Sequence, residues 1–237
     1  MFTEAGMATA VLQARMSSSR LPGKVLKPLL GQPMILRQIE RLRRCRRLER
    51  IVVATSDHPS DDLLAAILAK AGLEVVRGPL DDVLGRFVKV IETLGLTGEM
   101  VRLTADCPLA DPDVIDTCIA LRREGGFDYA TNGRQRTYPR GLDVEVFTVE
   151  ALRRAAVEAT SDYDREHVTP WLYRPESTFR RGDLVQARDD SAYRWTVDLP
   201  GDFDFVERVY TALYPGNPAF TSADILALPF ARRESDV

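Results

Sequence analysis

The sequence AVLQARMSSSRLPGKVLKPLLGQP, at residues 10–33, carries the clearest signals for both a fold and a ligand. Residues 10–12 form a short apolar run that fits a buried strand, and this run opens into a polar loop. The loop carries the cations Arg15, Arg20 and Lys24 among serines and a glycine. Hydroxyls and backbone N–H groups beside fixed cations suit a polyphosphate, although a solvated basic loop has the same composition. The loop lacks the spacing of a Walker A or dinucleotide-binding motif.

Up to residue 110 the chain alternates short apolar runs with helix-like segments. The predicted strands are 10–12, 51–54, 73–76 and 100–103, and the predicted helices are 33–48, 61–72 and 81–94. This alternation predicts a parallel sheet covered by helices on both faces, with right-handed connections. The carboxyl ends of the four strands then lie along one edge of the sheet, where open α/β sheets bind ligands.

Polar residues follow the later strands at this edge. They are Thr55, Ser56 and Asp57 after the second strand, Arg77 and Gly78 after the third, and Asp106 after the fourth. Their shared position at successive strand ends predicts that they surround one ligand. Asp57 fits a second role equally well, because an aspartate before a helix commonly caps it.

The second half of the chain is less regular. Strands are predicted at 128–131, 142–147, 178–187 and 193–197, and helices at 114–123, 149–157, 161–170 and 203–213, with a short one from 222 or 224. A chain of 237 residues suits one large domain. We therefore predict an α/β, three-layer α/β/α Rossmann-like fold over residues 1–237, with a mostly parallel central sheet and a small strand-rich subregion.

Composition excludes several classes of protein. The net charge of -3 argues against bulk attraction to nucleic acid or to a membrane surface, and no apolar run is long enough to span a bilayer. The first ten residues lack the features of a signal peptide. Three cysteines without C-x-x-C spacing predict reduced thiols and a cytoplasmic protein. The basic run is interpreted as the solvated face of a helix; its members are Arg41, Arg43, Arg44, Arg46 and Arg47.

Two aspartates are candidates for binding a divalent cation. Asp106, in LTADCPL, and Asp198, in WTVDLPGDF, each follow a predicted strand directly. Mg²⁺ prefers one or two carboxylates together with phosphate oxygens and waters. The alternative for Asp198 is a turn residue, and Asp202 is interpreted as the N-cap of the next helix.

The pattern A-R-x-x-S-x-R-L-P-G-K, followed by L and by G-x-P-M-I, resembles the signature loop of the sugar-activating cytidylyltransferases. This family includes the 3-deoxy-manno-octulosonate and acylneuraminate enzymes, and the similarity is strongest to its SpsF-like branch, from about residue 9 to residue 228. The resemblance implies a GT-A-like nucleotidyltransferase fold, a loop wrapped around the triphosphate of CTP, and Mg²⁺ bound by Asp106 and Asp198. It also implies a homodimer. The change from strand–helix alternation to strand-rich structure near residue 125 predicts two halves of the one domain: 7–124 for nucleotide binding, and 125–230 for sugar binding and possible dimerisation.

In the implied reaction a sugar hydroxyl attacks the α-phosphorus of a nucleoside triphosphate and pyrophosphate leaves. The resemblance gives catalytic roles to Arg15, Lys24 and Asp106. The predicted nucleotide-binding residues are Gln13, Ala14, Arg15, Ser17, Arg20, Lys24, Thr55, Ser56, Asp57, Arg77 and Gly78.

Two stretches are candidates for binding the sugar. In YPRGLDVE, alternation along a strand places Asp143 and Glu145 on one face, near Arg140. A solvated edge strand would show the same pattern, but SpsF-like sequences carry a similar string. In REHVTP, His167 is a further candidate, although a lone histidine on a helix is often structural.

The predicted function is Mg²⁺-dependent transfer of a nucleotidyl group, CMP by resemblance, to a sugar or sugar acid for surface or spore-coat polysaccharide. One alternative is a GT-A-type glycosyltransferase that uses a nucleotide-sugar donor. Such enzymes carry a D-x-D metal motif, and here Asp111 and Asp113 lie at a helix start rather than a strand end. The other alternative, a non-catalytic protein of the same fold, does not explain why the cationic loop and both acids are present.

Overall fold

The structure, a computed structural model, describes residues 7–231. Its strands are β1 Ala8–Gln13, β2 Pro28–Leu29, β3 Gln32–Pro33, β4 Leu48–Ser56, β5 Glu74–Gly78, β6 Glu99–Thr104, β7 Tyr129–Thr131, β8 Glu145–Thr148 and β9 Arg181–Asp183. Its α-helices are α1 Met34–Leu42, α2 Asp62–Lys70, α3 Val83–Leu94, α4 Pro112–Gly125, α5 Val149–Glu158, α6 Asp162–His167, α7 Pro170–Tyr173, α8 Pro200–Leu213 and α9 Ser222–Leu226. Short 3-10 turns cover Lys24–Leu26 and Pro59–Asp61.

Seven strands form one sheet in the order β5-β4-β1-β6-β8-β7-β9. Strand β8 is antiparallel to both of its neighbours, and the other pairs are parallel. Strands β2 and β3 form a separate hairpin. The prediction of an α/β fold with a mostly parallel central sheet is confirmed.

Helices cover both faces of the sheet because the central strands carry apolar side chains on both faces. Ala10 and Leu12 of β1 pack with α1, α2 and α4 on one face. Val11 packs with α3 and α5 on the other. A third cluster lies beside the sheet, where Trp195 and Val197 pack against α8 and α9. This third cluster fixes the segment that leads to Asp198.

The helix predicted at 33–48 ends at Leu42, and the chain turns before β4. The turn is held by α4, since the backbone N–H groups of Arg46 and Arg47 donate to the Asp116 carboxylate at 2.9 and 3.0 Å. Arg41 is wrongly placed on a solvated face. It is buried, and it donates to Ala110 O at 2.8 Å and to Phe220 O at 3.0 Å.

In the second half, two predicted strands are wrong in extent. The strand at 178–187 shrinks to β9, and 193–197 forms no strand but a single bridge between Arg140 and Arg194. The helix predicted at 161–170 ends at His167, because Val168 adopts a φ of 72° that a helix does not tolerate. No helix within residues 7–231 has the length and apolarity needed to cross a membrane.

Candidate active site

The cationic loop leaves β1 and folds back on itself. Gly23 donates its N–H to Met16 O at 3.0 Å and has a φ of 71°, in the left-handed region that glycine adopts without strain. The 3-10 turn that follows begins at Lys24. On the other side, Met16 donates its N–H to Asp61 Oδ1 at 2.7 Å. The loop is thus closed on itself between Met16 and Gly23 and is tied to the rest of the protein through Asp61.

Lys24 brings this loop to both candidate acids. Its Nζ donates to Val197 O at 2.6 Å and to Asp198 Oδ1 at 3.0 Å, and it lies 3.4 Å from Asp106 Oδ2. The two acids are also linked through the backbone, since the Val197 N–H donates to Asp106 O at 2.8 Å. The loop, the end of β6 and the segment before α8 therefore meet around one ammonium group.

Asp198 is surrounded by cations. Arg20 Nη2 lies 2.9 Å from its Oδ1 and Arg194 Nη2 lies 2.8 Å from its Oδ2, in addition to the contact with Lys24. Burial alone would raise the pKa of Asp198, but the hydrogen bond and charge of Lys24, then the charges of the two arginines, outweigh it and lower that pKa. Asp198 is therefore held as an anion.

Asp202 supports Asp198 from within α8. Its carboxylate accepts the backbone N–H groups of Asp198 at 2.9 Å and Leu199 at 2.7 Å. The interpretation of Asp202 as the N-cap is wrong, because α8 begins at Pro200 and Leu199 is the N-cap. Asp202 instead ties the turn that carries Asp198 to the first turn of the helix.

Asp106 is oriented by its neighbour on β6. Thr104 Oγ1 donates to Asp106 Oδ1 at 2.6 Å, which leaves Oδ2 as the oxygen nearest to Lys24. Within the described residues no group of three or more His, Cys, Asp or Glu could hold a metal ion. Two carboxylates on one positively charged atom nevertheless fit Mg²⁺, which takes its remaining ligands from phosphate and water.

Two cavities meet at this point. The loop cavity, of about 340 Å³, is lined by Gln13, Ala14, Arg15, Ser18, Ser19, Arg20, Lys24, Val25, Thr104, Ala105, Asp106, His167 and Asp198. The strand cavity, of about 450 Å³, has among its lining residues Arg102, Thr104, Asp106, Cys107, Tyr129, Arg134, Arg136, Asp143, Glu145, His167, Thr169 and Tyr173. Thr104, Asp106 and His167 line both cavities. A molecule in one cavity can therefore reach a molecule in the other.

Of the nucleotide-binding residues predicted at the end of β1 and in the loop after it, all but one line the loop cavity. Gln13, Ala14 and Arg15 line the loop cavity, as do Arg20 and Lys24. Ser17 is exposed and does not line it, whereas Ser18 and Ser19 do. A run of three serines gives no signal for which hydroxyls face inwards.

The predicted residues after β4 do not line the loop cavity. Thr55 and Ser56 are fully buried, and both hydroxyls donate to the Asp61 carboxylate, that of Thr55 at 3.1 Å. Burial alone would raise the pKa of Asp61, but hydrogen bonds from Ser56, the Met16 N–H and Thr55 lower it. These two hydroxyls thus support the cationic loop from beneath, in place of the direct ligand contact predicted for them.

Arg77 and Gly78 are also absent from both cavities. Arg77 is held by Ser56 O at 2.9 Å and by Asp62 at 2.6 Å, which directs it along α2. Asp57 is exposed, and its proposed role as a cap is wrong because His58 caps the 3-10 turn by accepting the Ser60 N–H.

The predicted sugar-binding residues are partly brought together. Asp143 and Glu145 both line the strand cavity, although only Glu145 lies within β8. Arg140 is exposed and lines neither cavity; Arg136 lies there instead and donates to Asp143. His167 lies at the boundary, with its ring 4.3 Å from that of Tyr163.

Sequence reasoning missed several charged residues of the site. Arg102 is two positions before Thr104 on β6, so strand alternation could have placed it on the same side. Arg136 and Arg194 lie outside regular structure and give no comparable signal.

The D-x-D pair is committed elsewhere. Asp111 caps α4 by accepting the Asp113 N–H at 2.9 Å and also accepts the Ser222 N–H at 2.7 Å. Asp113 pairs with Arg46 at 3.0 Å. Neither acid lines the loop or the strand cavity, so this pair offers no site for a glycosyltransferase metal.

Transfer of a nucleotidyl group requires a charged phosphate chain to be held beside a second substrate. The two joined cavities at the carboxyl edge of the sheet offer room for both, and cations line the loop cavity. The class of protein that the fold and site define is thus a nucleotidyltransferase. The family model described as Cytidylyltransferase matches residues 9–217, and the chain belongs to this family of enzymes.

Individual relatives agree with this family. The spore coat polysaccharide biosynthesis protein SpsF of Bacillus subtilis (strain 168) is 35% identical over 211 residues, which cover 84% of this chain and 85% of the relative. A cytidylyltransferase structure from Leptospira borgpetersenii has a TM-score of 0.86 and 32% identity, and the match covers 93% of this chain and 92% of that chain. A CMP:2-keto-3-deoxy-manno-octonic acid synthetase complexed with CTP shares the fold, with a TM-score of 0.66, 20% identity and coverage of 87% and 99%.

Proposed function

We propose that this enzyme transfers CMP from CTP to a hydroxyl of a sugar acid, with Mg²⁺, and releases pyrophosphate. The relatives support this substrate class, since one solved neighbour is a CMP:2-keto-3-deoxy-manno-octonic acid synthetase complexed with CTP. A second relative is named for spore coat polysaccharide biosynthesis. The product would accordingly be an activated sugar acid for a surface polysaccharide.

The observation that carries the proposal is the junction of the two cavities at Thr104, Asp106 and His167. Transfer is fast when the reacting atoms are held about 3–3.5 Å apart. With CTP in the loop cavity and the sugar acid in the strand cavity, the acceptor hydroxyl and the α-phosphorus would meet at this junction. The half 7–124 then supplies the cationic loop, and 125–230 supplies most of the acceptor side together with Asp198.

The loop cations would bind the triphosphate. Within residues 7–231 the Arg15 side chain has no hydrogen-bond or ion-pair partner, although it lines the loop cavity. Arg20 and Lys24 are paired with Asp198 and lie in the same cavity. Together the three cations would stabilise the charge that grows on the leaving pyrophosphate, with Arg20 and Lys24 already held by Asp198. Removal of one such group typically costs about 2.7–4 kcal/mol of activation free energy.

Asp106 and Asp198 would hold the divalent cation, which supplies charge neutralisation and polarisation of the attacked phosphate when bound. Lys24 already lies between the two carboxylates, so this position favours positive charge. Thr104 keeps Asp106 in one orientation through its hydrogen bond, and Asp202 keeps the backbone of Asp198 in place. The chain's own contribution is thus a preorganised pair of carboxylates.

The strand cavity offers charged and hydroxyl groups to a sugar acid. Arg134 and Arg136 line it, and Arg134 is only loosely paired, 3.7 Å from Asp183. A carboxylate of the acceptor would bind this edge, while Asp143 would accept its hydroxyls. Two further parts of the proposal, a homodimer and a cytoplasmic location, rest on the family resemblance and on three free cysteines.

The proposal is tested by release of pyrophosphate with each of the four nucleoside triphosphates, with Mg²⁺ or EDTA, against a panel of sugar acids and neutral sugars. We expect release with CTP, Mg²⁺ and a sugar acid, and none with EDTA. Release only with neutral sugars would overturn the acceptor class, and release with another triphosphate but not CTP would overturn the donor. No release at all, together with glycosyl transfer from a nucleotide-sugar, would favour the glycosyltransferase.

A further inference from the structure

Arg102 lies between the two cavities and contacts a residue of each. Its side chain is 15% exposed and lines the strand cavity. Its Nε and Nη2 both donate to Oε1 of Gln13, at 3.2 and 3.1 Å, and its Nη1 donates to Glu145. Gln13 itself lines the loop cavity. Arg102, on the proposed acceptor side, thus holds Gln13, on the proposed nucleotide side.

The chemistry of the guanidinium group fixes the orientation of the Gln13 amide. A guanidinium has only donors, so the end of the amide that faces Arg102 must be the oxygen. Two donors converge on that oxygen, which makes a rotated amide doubly unfavourable. The NH₂ end, Nε2, has no hydrogen-bond partner within the described residues. It is therefore available to donate to a molecule in the loop cavity.

Glu145 in turn fixes Arg102. Its carboxylate accepts hydrogen bonds from Tyr129 Oη, at 2.6 Å, and from Thr169 Oγ1, besides the ion pair with Arg102. With several donors around it, this carboxylate has little freedom to move. The connection runs from Glu145 on β8 through Arg102 on β6 to Gln13 on β1, across three neighbouring strands of the sheet.

We propose that Arg102 and Glu145 are positioning residues for nucleotide binding: they orient the Gln13 amide so that Nε2 donates to an oxygen of the nucleotide. This inference rests on the proposed use of the loop cavity for CTP. It gives Glu145 a different role from the sugar contact that the sequence predicts. It also separates Glu145 from Asp143, which pairs with Arg136 in the same cavity.

The test measures the Kd for CTP by calorimetry in the full-length protein. Gln13→Met removes the donor and keeps the length of the side chain. The paired change Arg102→Met with Glu145→Gln removes both charges together, so no buried charge is left alone, and glutamine can still bond the hydroxyls of Tyr129 and Thr169. The matched control, Arg50→Met with Glu74→Gln, removes an ion pair between β4 and β5 whose residues line neither cavity.

We expect Gln13→Met and the Arg102/Glu145 pair each to raise the Kd for CTP about tenfold, and their combination to raise it no more than Gln13→Met alone. The control pair should change this Kd by less than about twofold. A purely structural role for Arg102 would lower the melting temperature but would not make its effect on Kd depend on Gln13.

An unchanged Kd in the Arg102/Glu145 pair, or an additive loss in the combination, overturns the inference while leaving the proposed function intact. Failure of the wild-type protein to bind CTP overturns both. Should the paired variant not fold, Arg102→Lys keeps the charge beside Glu145 but cannot donate twice to Gln13. It should weaken CTP binding about three- to tenfold only when Gln13 is present, and an equal loss with Gln13→Met would refute the connection.

Discussion

Replacement of Lys24 by methionine tests the centre of the site, because its ammonium group contacts both candidate metal-binding acids and the backbone carbonyl next to Asp198. Nζ donates to Val197 O at 2.6 Å and Asp198 Oδ1 at 3.0 Å, and lies 3.4 Å from Asp106 Oδ2. Lys24 is only 8% exposed, so water cannot readily replace these contacts. Methionine keeps the length of the side chain but removes the charge and the donors.

The cost in stability follows from what remains around the acids. Val197 O loses a buried donor, which costs about 1–3 kcal/mol. Asp198 keeps Arg20 and Arg194, so the larger cost of a lone buried charge, about 3–5 kcal/mol, does not apply in full. We expect a net loss of about 1–3 kcal/mol, which lowers the melting temperature of a chain of this size by roughly 3–10 °C.

The cost in activity should be larger. If Lys24 neutralises charge on the triphosphate in the transition state, its removal should lower kcat by about 10²–10³-fold. Pyrophosphate release at saturating CTP and acceptor, well below the melting temperature, separates this loss from unfolding. Lys27→Met is the matched control, since Lys27 packs over the Phe203 ring at 3.9 Å and lines neither cavity.

A folded Lys24→Met enzyme with the kcat of the wild type would refute the reasoning. It would mean that the ammonium group only joins Asp106 to Asp198 and takes no part in phosphate binding. Equal losses in Lys24→Met and Lys27→Met would point to a general disturbance of the loop instead.

Three further changes address separate parts of the molecule. Asp106→Asn should lower pyrophosphate release by about 100-fold or more with an unchanged melting temperature, and undiminished release would remove Asp106 from the site. Asp61→Asn should cost about 1–3 kcal/mol at neutral pH. Burial alone would raise the pKa of Asp61, but hydrogen bonds led by the one from Ser56 lower it. The Asp61 carboxylate therefore stabilises the folded state above its pKa in the unfolded chain, about 3.9. This contribution is lost as the pH falls through the lower pKa of the folded state. The difference in the free energy of unfolding between the wild type and Asp61→Asn, measured in urea, should thus narrow below about pH 4. A difference that stays constant with pH would contradict this explanation. Gly141→Ala should lower the free energy of unfolding by at least about 2 kcal/mol, because φ is 103° and the new Cβ would lie 2.7 Å from the backbone carbonyl carbon of Trp195. Gly216→Ala is the control in the same unfolding assay, since no atom lies within 4 Å of the Cβ that it adds.

The parts of the fold that sequence predicts well are those set by local periodicity. The four parallel strands and their helices are recovered because apolar residues repeat with the period of each element. The meeting of the cationic loop with Asp106 follows from the rule that parallel strands end at one edge. Asp198 lies at the same point for a different reason: its segment is held by a bridge and by the third apolar cluster rather than by a strand.

The parts that sequence misses depend on contacts between distant residues. Thr55 and Ser56 lie at a strand end, as predicted, yet both hydroxyls donate to the Asp61 carboxylate and neither residue lines the loop or the strand cavity. Arg41 belongs to a run of basic residues that suggests a solvent-exposed helix face. It is nevertheless buried, and it donates to the carbonyl oxygens of Ala110, just before α4, and Phe220, just before α9. Residue type and position do not reveal which partner a polar side chain will meet.

The close approach of residues 139–142 to 193–197 shows why a failed strand prediction leaves the site intact. Gly141 allows the two segments to pass within backbone contact, and the Trp195 N–H then donates to Arg140 O at 2.7 Å. That contact fixes Arg194 next to Asp198 although no regular strand forms. The site therefore depends on where this backbone lies and on one glycine that lets it lie there, and neither condition requires the secondary structure that the apolar pattern predicts.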